Sequence, residues 1–151
     1  MEERSTVIVV DGEGERLNAL GTTLRFLALP EQTGKAWSLM EVTLPRDVGP
    51  PRHAHPWDEC YYIVEGKVRF TLGDRADVFS AGDFLYAPAG TVHGFQGDSD
   101  TPAKVLVFDA PAAAEGFFRE LDREVRVLPD DLPKVPGIAA RHGLRFLGDA
   151  A

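Results

Sequence analysis

The chain has 151 residues, a formal net charge of −8, 44% hydrophobic and 26% charged residues, and one cysteine. These are the proportions of one ordinary globular domain, which excludes a disordered chain, and no apolar run approaches the length of a bilayer span. The acidity argues against nucleic acid, whose binding is driven by Lys and Arg neutralising phosphates. The opening MEERSTVIVV lacks the basic start and long apolar segment of a signal peptide, and Cys60 alone forms no intramolecular disulfide. A cytoplasmic location is expected.

From Val7 to about Phe108, short apolar or alternating runs are split by Gly, Pro and Asp, the signature of many short antiparallel strands. Strands are expected near 6–10, 24–29, 37–44, 58–64, 67–72, 76–79, 84–87, 92–96 and 103–108, a spacing that favours an all-β sandwich or barrel. The tightest signal is YYIV and VRFT flanking Glu65-Gly66-Lys67, with Gly66 free to take the positive φ of a hairpin turn. Beyond Pro111 the period changes. Phe117, Leu121 and Val125 fall at helical spacing, with acids and arginines opposite, and predict an amphipathic helix that covers the sheet. A proline-punctuated connector follows, then GIAARHG reads as a short helix that Gly143 caps. No second domain or repeat is visible, so residues 1–151 read as a single domain with strands over about 24–108 and a helical extension over about 112–151.

The chemistry concentrates in RHAHPWDEC, residues 52–60, which holds two of the four histidines. His53, His55 and Glu59 are separated by even numbers of residues, so an extended segment would project all three to one side, continuing into Tyr61 and Ile63. The competing reading is a loop, flanked by Pro50, Pro51 and Pro56, that exposes its histidines. The second element is GDFLYAPAGTVHGF, where Pro88-Ala89-Gly90 makes a turn and His93 starts the returning strand. Alone, His93 reads as a hydrogen-bonded interior histidine; beside residues 53–59 it can be a third imidazole.

Together the two segments resemble the cupin superfamily. Its first motif runs Gly, five residues, His-x-His, three or four residues, Glu, six residues, Gly; His53, His55, Glu59 and Gly66 fit, with Asp47 at the opening position and Gly49 two residues later. Its second runs Gly, five residues, Pro-x-Gly, two residues, His, three residues, Asn; Gly82, Pro88, Gly90 and His93 fit, and Gly97 stands where Asn is usual. Both departures fall at turns. The long stretch LRFLALPEQTGKAWSLMEVTLPRDVGPPRHAHPWDE, EGFFREL and the closing IAARHGLRFLG are similar to the single-domain, quercetin-dioxygenase-like group. The resemblance implies a small antiparallel β-barrel or jelly roll (cupin), carrying one or two short C-terminal helices and a metal inside. It also implies His53, His55, Glu59 and His93 as ligands, and a homodimer.

Three neutral imidazoles and a carboxylate suit one divalent transition metal ion such as Fe, Mn, Ni, Cu or Zn, and they leave coordination positions open. The ligands do not select among these metals. In the quercetinase-like picture Glu59 also serves as a catalytic base that takes a proton from an enolic hydroxyl. Trp57 and Tyr61, which share the parity of the ligands, are expected to line a substrate pocket with Phe70 and Phe95, and Trp37, Leu39, Met40, Phe84, Tyr86 and Phe108 are further candidates. His142 is expected at a helix end, outside the site. Three functions follow: a metal-dependent dioxygenase of a phenolic, enolic or diketone small molecule; a non-redox metal-dependent cyclase, isomerase or decarboxylase of a polyketide-type or sugar substrate; or a non-catalytic small-molecule-binding protein.

Overall fold

The structure, a computed structural model, describes residues 4–147. Eleven strands carry most of the order: β1 (Arg16–Ala19), β2 (Thr22–Ala28), β3 (Ser38–Leu44), β4 (His53–Ala54), β5 (Asp58–Glu65), β6 (Lys67–Leu72), β7 (Arg75–Ser80), β8 (Phe84–Ala87), β9 (His93–Gly97), β10 (Ala103–Ala110) and β11 (Arg145–Phe146). Two helices, α1 (Ala114–Glu124) and α2 (Val135–Arg141), fall between β10 and β11. All strand pairs are antiparallel and form two sheets, one ordered β1-β2-β3-β10-β5-β8 and the other β11-β4-β9-β6-β7. The fold is therefore all-β, a jelly roll rather than a closed barrel.

Register decides which residues meet inside. Met40 pairs with Val107, Val107 with Tyr61 and Tyr61 with Leu85, and all four are buried. One residue along, Leu39, Phe108, Cys60 and Tyr86 form the opposite row, on the outer face. Because side chains alternate along a strand, this parity sends Tyr86 and Phe84 outward, where they are 45% and 63% exposed. Trp37 stacks on Phe108, with ring centroids 5.7 Å apart, on that same side. None of these rings belongs to an interior pocket.

The expected strand at 6–10 is absent, and Ile8 is 88% exposed. Its β-branched run finds no neighbouring strand, and an unpaired strand has nothing to hold it. Conversely, β1, β4 and β11 were not expected, being too short to leave a periodic trace. Residues 53–59 also differ from a single extended run. His53 lies in one sheet and Glu59 in the other, and the chain crosses between them through His55-Pro56-Trp57.

The two motif departures have local causes. Asp47 adopts φ +62, a conformation that Asp tolerates better than most residues, in the position where the motif has Gly. A Cβ on Gly97 would stand 2.4 Å from the Pro45 carbonyl oxygen and 2.5 Å from that of Leu44, so no larger residue fits there. The C-terminal part is built into the fold. Asp109, buried at the end of β10, accepts hydrogen bonds from the backbone N–H groups of Ala113 (2.8 Å) and Ala114 (2.9 Å) and from Ser38, which fixes the start of α1. Phe117 and Leu121 then bury the apolar side of α1, and β11 pairs with β4 next to His53. No described helix is long and apolar enough to cross a membrane.

Candidate metal centre

His53 on β4 and His93 at the start of β9 are direct cross-strand partners, with ring centroids 4.2 Å apart. His55, just past β4, brings its ring within 5.5 Å of His53 and 4.7 Å of His93. All three are buried, and one ring nitrogen from each lies within 4.8 Å of the others. Sheet pairing and the crossing at Pro56 together assemble this group, so no single run of sequence contains it.

The hydrogen bonds say which nitrogens face inward. The Nδ1 atoms of His53, His55 and His93 lie 2.7, 3.1 and 2.8 Å from the carbonyl oxygens of Pro51, Trp57 and Thr91. A carbonyl only accepts, so each Nδ1 carries the hydrogen and each Nε2 is left with a free lone pair. The Nε2 atoms of His55 and His93 are buried without a hydrogen-bond partner. Burial first, and then the neighbouring His93, push the His53 imidazole down to about 4, so it is neutral at physiological pH. Buried orphan lone pairs aimed at one place, with their other nitrogens oriented by carbonyls, are what a metal-holding set of histidines shows.

Glu59 stands beside the three imidazoles, with Oε2 3.2 Å from His55 Nε2 and Oε1 3.8 Å from His93 Nε2. Its oxygens accept hydrogen bonds from Trp57 Nε1 (3.0 Å) and the Tyr61 hydroxyl (2.5 Å). Burial opposes ionisation of the carboxyl, and the two donors, Trp57 Nε1 and the Tyr61 hydroxyl, favour its ionised form. An ionised carboxylate facing an unprotonated Nε2 is one acceptor against another, which repel unless a cation lies between them. Ligands about 2.1 Å from a first-row ion stand roughly 3 Å apart, so the separation of Glu59 and His55 suits such an ion. Trp57 also stacks flat on His55, with centroids 4.0 Å apart and planes at 4°.

Residues 40–109 match the Cupin domain family. Over 115 residues the chain is 30% identical to quercetin 2,3-dioxygenase of Bacillus subtilis, an alignment that takes in 76% of this chain and 34% of that protein. The chain belongs to the cupin family. It is also 26% identical over 125 residues to a protein named polyketide synthase CurC of Streptomyces cyaneus, covering 82% of this cupin and 81% of its relative. Among solved structures, an RmlC-like cupin from Shewanella frigidimarina superimposes with a TM-score of 0.63 at 19% identity, over 74% of this chain and 96% of that one. This cupin spans about a third of the length of the quercetin dioxygenase.

His53 and His55 of this cupin line a cavity whose empty space, its open mouth included, is about 750 Å³. Both sheets contribute to its wall, through Met40, Val42, Phe95 and Val107 among others, and so does α1, through Ala114, Phe117, Phe118 and Leu121. Leu144 and Phe146 complete that side. Among the described residues, no Lys or Arg lines it. Of the aromatic residues expected in a pocket, Trp57 and Phe95 border the cavity, whereas Tyr61 and Phe70 are fully buried outside its lining. Tyr61, Phe70 and Phe95 instead pack together with centroids 4.8–5.3 Å apart, and Tyr61 meets the site through its hydroxyl, on Glu59, and its ring, 6.0 Å from that of His93. The contribution of α1 was missed by sequence reasoning. Its stripe of Phe117 and Leu121 announces burial, but periodicity does not say that the buried side closes a cavity.

His142 lies outside the centre, with Nε2 2.7 Å from Glu120 Oε2, pinning α2 to α1.

Proposed function

We propose that this cupin is a metal-dependent dioxygenase acting on an apolar phenolic, enolic or diketone small molecule, with one divalent transition metal ion held by His53, His55, His93 and Glu59. The observation that carries this reading is a group of three buried imidazoles, oriented by backbone carbonyls, of which His53 and His55 line a cavity that no Lys or Arg among the described residues borders. A substrate bearing a carboxylate or phosphate would find no basic side chain in this wall, whereas a neutral aromatic or enolic molecule would find Met40, Phe95, Phe117 and Phe118. The similarity to a quercetin dioxygenase supports the same class.

Such an ion supplies a Lewis acid for the substrate oxygen and, when redox-active, a route for electrons to dioxygen. The chain's own residues do the rest. The wall excludes water and orients the apolar part of the substrate. Glu59, the only carboxylate among the described residues that line the cavity, takes the proton from the enolic hydroxyl, and Trp57 and Tyr61 hold its two oxygens in place for that transfer. Metal analysis of protein purified without added metal, followed by oxygen uptake with flavonols and 1,3-diketones, tests the proposal. Stoichiometric Fe, Mn, Ni or Cu with substrate-dependent oxygen uptake is the expected result; absence of metal overturns it.

A second reading, a non-redox cyclase in which the ion acts only as a Lewis acid, is favoured by the similarity to CurC, which extends over most of both chains. Zn with no oxygen uptake, and turnover of a polyketide-type substrate, would select it. Sedimentation velocity reads the homodimer expected on family grounds.

A further inference from the structure

The hairpin joining β1 to β2 breaks a local rule. Ala19 pairs with Thr22, so Leu20 and Gly21 alone make the turn, with φ of +51 and +90. Two positive φ values in a two-residue loop describe a type I′ turn, whose first central position favours Asn, Asp or Gly. Leucine is strained there, because the left-handed conformation crowds its Cβ against the backbone. The turn itself gives no reason to keep it.

The cavity does give one. Leu20 is half-buried, packs against the core and borders the cavity, on a wall shared with Ala19, Thr22 and the apolar side of α1. The hairpin is fastened in that position. The Asn18 N–H donates to Asp122 Oδ1 of α1 at 3.3 Å, and Arg119 of α1 holds Glu15 at 2.7 Å while lying over the Phe26 ring at 5.1 Å. The Thr22 hydroxyl donates to the Ala19 carbonyl at 2.6 Å, tightening the turn. A turn-breaking residue held against a cavity wall is a local conflict of the kind that marks functional positions.

We propose that Leu20 is a specificity-determining residue, kept in a strained turn so that its side chain shapes the apolar wall against which the substrate packs. The inference rests on this cavity being the substrate site. Its test uses Leu20→Asn and Leu20→Gly, both of which suit the turn, and Leu20→Met, which keeps the apolar bulk. The probe is 3-hydroxyflavone, neutral, apolar and enolic, whose fluorescence reports transfer out of water; titrations are run on metal-free and Zn-loaded protein. The expected result is a Kd at least fivefold weaker in the Asn and Gly variants and close to wild type in the Met variant, with the Tm of the Asn variant no lower than wild type. Unchanged affinity in the Asn and Gly variants overturns the inference, and so does a Tm for the Asn variant several degrees below wild type, which would make Leu20 an ordinary core residue. Wild-type protein that binds no 3-hydroxyflavone overturns this inference and the apolar-enolic reading of the substrate together. Loss of affinity in the variants of a protein that consumes no oxygen sustains the inference while the dioxygenase reading falls.

Discussion

At the scale of single residues, the imidazole group depends on where each histidine's hydrogen goes. Because Nδ1 of each ring is committed to a carbonyl, the inward Nε2 lone pairs of His55 and His93 are buried without a partner, at a cost to folding that a bound cation removes. His53→Ala and His93→Ala should therefore abolish tight metal binding while leaving the far-UV circular dichroism of the sheets intact; stoichiometric metal in both purified variants would refute the assignment. Glu59 is fixed differently, by donors on either side of it in sequence, Trp57 and Tyr61. Tyr61→Phe removes one donor to a buried carboxylate, and urea denaturation should report a loss of about 1–3 kcal/mol. The even spacing of residues 53, 55, 57, 59 and 61 was readable in the sequence. Which of them would bind, donate or merely pack was not, because spacing carries no information on depth or on the partner across the sheet.

At the scale of elements, α1 is placed by one buried carboxylate. Asp109 satisfies two of the backbone N–H groups at the start of α1 and holds Ser38 of β3 at the same time, so helix and sheet are joined through a single side chain. Burial raises the Asp109 carboxyl, and the donors around it oppose that rise. Asp109→Ala should leave these donors unpaired and cost about 1–3 kcal/mol in urea denaturation. Hydrogen exchange at Ala113 and Ala114 should quicken most; exchange that quickens evenly along the chain would show that Asp109 stabilises the fold without anchoring α1. The stripe of Phe117 and Leu121 made the helix itself legible, as the Gly66 turn made the β5–β6 hairpin legible, because both are local patterns. The expected strand at 6–10 shows the limit of that logic: VIVV has strand propensity, but a strand exists only where a neighbour accepts its hydrogen bonds.

At the scale of the whole molecule, metal binding should be coupled to folding, since the imidazoles converge only when β4 pairs with β9, and Glu59 joins them only when the second sheet packs against the first. Metal at about a hundred times its Kd should stabilise the native state by roughly 2.7 kcal/mol, raising Tm in the wild type and leaving His53→Ala unmoved. Equal shifts in both proteins would mean that the metal acts elsewhere. The sequence by itself determined an all-β fold, the hairpin around Gly66, the two histidine-bearing segments and their family, because alternation, turn residues and motif spacing are short-range properties written along the chain. Only the tertiary structure decided that β4 and β5 belong to different sheets, that Phe84 and Tyr86 face outward, and that α1 and the Leu20 turn wall the cavity. These depend on register and on which strands become neighbours. A shift of one residue reverses every side chain on a strand, and contacts between residues a hundred positions apart, such as Asn18 with Asp122, leave no period in the sequence to be read.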